Sequence, residues 1–139
     1  MSPAPTAGYS GTPLARKLGI GAGARLWPVG APRGYRALLA PLPVGVRFLR
    51  TGDAATDVAH LFVTRRAELA RLLGHCRTAL RPDAAVWVSW PKQSSGVPSE
   101  VGEGTVRELA LPLGFVDVKV CAVDATWSGL KLVVRQALR

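Results

Sequence analysis

Residues 57–90 carry the pattern that most constrains the fold. Asp57-Val58-Ala59-His60-Leu61-Phe62-Val63 is an almost unbroken apolar run of strand length, as expected for a strand covered on both faces. Leu69, Leu72, Leu73, Cys76 and Leu80 then recur at helical spacing, with Glu68 in the first turn and Thr64 placed as a hydroxyl N-cap. The turn Arg81-Pro82-Asp83 stops this helix, predicted over Arg65 to Leu80, and Ala84 to Trp90 reads as a second central strand. A buried strand, a one-faced helix and another buried strand make up half of an open α/β sheet, because parallel strands need helices on both faces.

The flanks complete one domain. Residues 1–12 read as a flexible arm, and Thr12-Pro13 offers a helix start, Thr12 as N-cap and Pro13 at the first helical position. Gly19-Ile20-Gly21-Ala22-Gly23 is a connecting turn: a nucleotide loop follows a strand and opens a helix, whereas this run follows a short helix. Arg25 to Val29 is the first strand, with Pro28 arguing for an irregular end or an exposed edge. Gly30 to Tyr35 turns into a short helix through Leu38-Leu39, Val46 to Leu49 is a short strand, and Thr51 to Thr56 is loop. After the polar loop Gln93 to Gly104, Val106, Leu109, Ala110 and Leu113 mark one face of a short helix broken near Pro112 and Gly114. Phe115 to Val123 and Leu130 to Arg135 alternate strongly and predict an antiparallel hairpin.

Composition narrows the function classes. At 139 residues the chain is a single domain, 13–139, with the arm before it. No apolar run approaches the ~18 to 20 residues of a membrane span. The first residues lack a basic segment followed by an apolar one, so a cytoplasmic location is expected. Cys76 and Cys121 have no metal-type spacing and read as free thiols of a reducing compartment. The net charge is +9, and no acidic residue precedes Asp53. Fourteen of the 18 cations are Arg in a chain rich in Ala, Gly and Pro, as GC-biased codons produce. Without zinc-finger spacing or an aromatic-rich RNA-binding strand, nucleic acid is expected to bind only through non-specific charge.

The order of elements, with the Leu80-Arg81-Pro82-Asp83 turn and Leu113-Gly114-Phe115 before the hairpin, resembles the last three αβ units of class I methyltransferases. In that family the final strand inserts antiparallel into an otherwise parallel sheet. The resemblance implies a reduced Rossmann-like, methyltransferase-like, three-layer sheet with a C-terminal antiparallel β-hairpin. More narrowly, Gly8 to Ala15, His60 to Val63, Trp87 to Lys92 and Asp117 to Leu130 resemble a family of small bacterial proteins known only as a domain of unknown function (DUF3052-like). That family implies no established activity.

Methyltransferases hold S-adenosylmethionine with a glycine-rich turn after the first strand and a carboxylate at the end of the second. The corresponding positions here read Gly30-Ala31-Pro32-Arg33-Gly34 and Phe48-Leu49-Arg50-Thr51, and Thr51 to Asp57 leaves no room for a third strand and its helix. No cofactor, metal or catalytic residue is therefore expected, and the reading is a non-catalytic ligand-binding or protein-interaction module. The alternative is a divergent transferase acting on an anionic substrate. The Gly30–Tyr35 turn separates them: an enzyme needs an open groove beside it, whereas an interaction module can fill it with Tyr35 or the arm.

Ligands of open α/β sheets bind outside the carboxyl ends of the strands. Those ends bring Arg33, Arg65, Arg66, Lys92, Ser94 and Ser95 toward one edge, together with two helix N-termini, after Pro32 and after Thr64. These are the candidate anion-binding residues, for a small anionic ligand. His60 is expected to be a satisfied core histidine, no Ser/His/Asp set is readable, and Trp87, Trp90 and Trp127 are packing anchors.

Overall fold

The computed structural model describes residues 11–139, so the predicted arm lies largely outside the described residues. Six strands form one sheet: β1 (Arg25–Val29), β2 (Arg47–Phe48), β3 (Val58–Phe62), β4 (Ala85–Pro91), β5 (Phe115–Ala122) and β6 (Trp127–Val134). The order is β2-β1-β3-β4-β6-β5. β2, β1, β3 and β4 are parallel, and β6 lies antiparallel between β4 and β5. The expected hairpin is present, and its second strand is inserted between β4 and the edge strand β5.

Four helices cover the two faces, α1 (Leu14–Lys17), α2 (Tyr35–Leu39), α3 (Arg66–Ala79) and α4 (Glu103–Ala110). Odd-numbered residues of β3 face α3 and α4, in a core of Ala59, Leu61, Leu69, Leu72, Leu73, Cys76, Val86, Val88, Val106 and Phe115. Even-numbered ones face α1 and α2, with Leu18, Leu26, Tyr35, Leu39, Phe62 and Trp87. All five residues of β3 are buried, as its unbroken apolar run required. The indole N–H of Trp87 donates to the Leu18 carbonyl at 3.0 Å, pinning the end of α1 to the sheet.

Several local expectations are corrected. Pro13 is the N-cap of α1 and not its first residue, so Thr12 stands one position too early to cap it. The N-cap of α3 is Arg65, without a side-chain cap. Thr64 instead accepts the Glu100 N–H through its carbonyl at 2.8 Å, and the Glu100 carboxylate caps the Arg66 N–H at 3.0 Å. β1 is not an edge strand. Its Leu26 carbonyl accepts from the Leu49 N–H of the β2 side at 2.7 Å, so Pro28, two residues on, turns its missing donor the same way. Pairing with β2 accordingly stops at Phe48. Leu113 is exposed at the end of a single 3-10 turn and does not extend the α4 face.

The start of the sheet is locked by charge. Asp57 accepts from the Arg25 N–H at 2.8 Å and from the Arg81 guanidinium at 2.8 Å. Burial alone would raise this carboxyl. The Arg25 N–H, with the Arg81 and Arg25 guanidinium groups, outweighs it and holds the carboxyl below its ordinary value.

Candidate functional site

The carboxyl ends of β1, β3 and β4 share one edge because the three strands are parallel. Gly30 ends β1 with φ +66°, and a Cβ there would come within 2.8 Å of the Phe62 carbonyl oxygen. This close approach to the Phe62 backbone, with the positive φ, accounts for the glycine without a ligand. Past it, α2 begins at Tyr35 after Gly34 at φ +83°, and runs only five residues. So short a helix has little aligned dipole, which removes one of the two helix N-termini expected to hold an anion.

Tyr35 turns inward. It is 6% exposed, packs edge-on against Phe62 and Phe48, and its hydroxyl lies 2.7 Å from His60 Nδ1. His60 Nε2 in turn lies 2.7 Å from Ser89 Oγ, and both His60 and Ser89 are 0% exposed. A neutral imidazole carries one donor and one acceptor, and a hydroxyl can be either, so the line Tyr35–His60–Ser89 satisfies the ring completely. Burial holds His60 down at about 3 and pushes the Tyr35 phenol up, so both remain neutral. Ser89 and His60 have the spacing of a nucleophile and its base. A nucleophile must meet its substrate, however, and this one is fully buried, with Tyr35 of α2 closing over His60. His60 is the satisfied core histidine expected. Its partners went unread because Tyr35 is 25 residues away in sequence and Ser89 is 29, and only the parallel register Phe62↔Ser89 brings the serine beside it.

The six candidate anion residues have different surroundings. Arg33 and Arg65 are exposed in the turns after β1 and β3. Arg66 is occupied: its N–H by Glu100, its guanidinium by Glu108. Lys92 donates through Nζ to the Asp124 carbonyl at 2.9 Å, fastening the end of β4 to the β5–β6 turn. Ser95 Oγ donates to the Lys92 carbonyl at 2.6 Å, and Ser94 is exposed beside it. The N-terminus of α3, the second one expected to attract an anion, already holds a carboxylate of the chain itself.

On the α3 side, a groove of about 490 Å³ lies between the ends of β1 and β2 and the helix, lined by Trp27, Gly30, Arg50, Thr51, Leu72 and His75 among others. Its floor is tight. A Cβ on the buried Gly52 would fall inside the van der Waals envelope of the Trp27 ring, and His75 donates to the Gly52 carbonyl over 2.9 Å. Residues 49–57 contain no helix or strand and lie against this face as a strap. Among the described residues no group of three or more His, Cys, Asp or Glu is placed to hold a metal. No helix among them is long and apolar enough to cross a membrane.

No family model matches the chain, and no curated protein does. Solved structures do. An S-adenosylmethionine-dependent methyltransferase of Aquifex aeolicus superposes with a TM-score of 0.64 at 13% identity, covering 87% of each chain. The N-methyltransferase NodS of Bradyrhizobium japonicum gives 0.60 at 12% identity over 87% of this chain and 92% of its own. A protein of Sulfolobus solfataricus assigned to the type 11 methyltransferases gives 0.62 at 13%, covering 88% and 90%. The fold is that of the class I methyltransferases. At such identities the likeness extends to the fold and not to the chemistry.

Proposed function

We propose that this chain is a non-catalytic binding module, serving a protein partner or a small anionic ligand on a reduced methyltransferase-like fold of the DUF3052-like type. The observation that carries the reading is the position of Tyr35. Its side chain turns away from the turn after β1 into the core on the α1/α2 face and is tied to His60. The groove that opens beside Gly30 on the α3 side is lined by Arg50, Arg71 and His75 and by no carboxylate. Supporting it, Arg50 stands at the end of β2 where a methyltransferase places its ribose-binding acid, and Gly30 is accounted for by the Phe62 backbone. The free thiols Cys76 and Cys121 fit a reducing, cytoplasmic setting.

Calorimetry with S-adenosylmethionine tests this directly. The expected result is no saturable heat up to millimolar cofactor, for the full chain and for Tyr35→Phe alike. Saturable binding in the micromolar range would overturn the reading in favour of a divergent transferase.

A further inference from the structure

We infer that the outer edge of β2 is a docking site for an extended, acidic segment of another protein, which joins the sheet where residues 49–57 supply no strand of their own. The inference rests on the interaction-module reading above and narrows it to one edge and one partner chemistry.

Among the described residues β2 is the first strand in the sheet order and pairs only with β1. The N–H groups of Arg47 and Leu49 both point inward, donating to the Ala24 and Leu26 carbonyls at 2.9 and 2.7 Å. Between them the pleat turns the N–H and carbonyl of Phe48 outward, a donor and an acceptor spaced for one more strand. Arg47 and Arg50 are exposed on either side, and the Arg36 guanidinium lies 3.9 Å over the Phe48 ring.

Charge selects the occupant. The seven ion pairs among the described residues draw on Arg25, Arg66, Arg71, Arg81 and Arg107, and on none of the three arginines at this edge. No carboxylate of the described residues pairs with them. Six of the nine carboxylates are in those pairs, and the other three, Asp53, Glu100 and Asp124, accept from backbone N–H groups. Residues 1–10 contain no carboxylate either. A second copy would set Arg47 and Arg50 against themselves, a like-charge contact that strand pairing does not tolerate. A strand carrying Glu or Asp meets both demands at once. Main-chain hydrogen bonds would hold it, and the groove beside Arg50, floored by Trp27 and Leu72, would take one of its side chains.

The test uses three synthetic peptides: one alternating Glu and Val, the same peptide interrupted by a central proline, and its Lys counterpart. Binding to the full chain is followed by calorimetry and by amide exchange. The Glu peptide is expected to bind and to slow exchange at the Phe48 amide. The proline peptide, with the same charge, should lose about tenfold or more, and the Lys peptide should not bind. Arg47→Glu with Arg50→Glu should weaken the Glu peptide by about tenfold or more at an unchanged melting temperature, while Lys119→Glu on the far strand β5 should change it less than about twofold. Equal affinity for the proline peptide, or an unprotected Phe48 amide, would overturn the inference. So would perturbations spread over all arginines that vanish at physiological salt, which would reduce the edge to a charged strand that merely resists aggregation. S-adenosylmethionine binding would overturn the non-catalytic reading separately, leaving these outcomes unaltered.

Discussion

Burial keeps His60 neutral in the folded chain, and that has a measurable pH signature. Its folded value, about 3, lies below the ordinary 6.5, so between the two the unfolded chain binds the extra proton. The stability held by this site is complete above about pH 6.5 and declines as the pH falls, by at most about 1.4 kcal/mol per pH unit. Urea melts from pH 7 to 4 should show that slope, and His60→Gln should flatten it. Tyr35→Phe leaves an imidazole nitrogen unpaired in the core and is expected to destabilise by about 1 to 3 kcal/mol. Gly52→Ala must displace the Trp27 ring or the strap, an overpacking of about 1 to 3 kcal/mol visible in the same melts. The burial of His60 was legible in its apolar run. Its hydroxyl partners, and the need for glycine at position 52, depend on register and on a close approach that no local pattern encodes.

Among the elements, α3 is the one most fully written in the sequence. Leu69, Leu72, Leu73 and Cys76 repeat at helical spacing and are all buried on the sheet. Leu72→Ala and Leu73→Ala are each expected to cost about 2 to 5 kcal/mol; an unchanged denaturation midpoint would show that the face had been misassigned. Its N-terminus was misread for a physical reason. Thr64 is a good capping residue, but a carboxylate 34 residues away reaches the Arg66 N–H, and sequence neighbours cannot announce a cap delivered by tertiary structure. The same holds for the anion edge, where the parallel strands were legible but not that Glu100 and Glu108 would engage Arg66, and the Asp124 carbonyl Lys92. Arg33 and Arg65 remain its exposed cations, so phosphate titration by NMR is expected to shift residues 31–35 and 64–65 before 66 and 92. Asp57 joins β1, β3 and the turn holding Arg81. With its carboxyl held low, this contribution is present above about pH 4 and is lost as the pH falls through the lowered value. Asp57→Asn should therefore reduce the acid sensitivity of unfolding.

For the molecule as a whole, two buried parallel strands with a helix between them were enough to specify an α/β sheet, and the alternating runs near 115 and 130 specified its hairpin. Which strands would be neighbours was not legible from periodicity, since alternation reports faces and not partners. The observed order has a consequence for how the chain assembles. β5 touches the sheet only through β6, which is made after it and slips between β5 and β4. During synthesis β5 must therefore wait, with Phe115 and Val116 lacking their lining, until Trp127–Val134 emerges as the keystone. A chain ending at Asp124 should accordingly leave the ribosome without a cooperative fold, and release of a nascent-chain stall should appear only once residue 134 has cleared the exit tunnel.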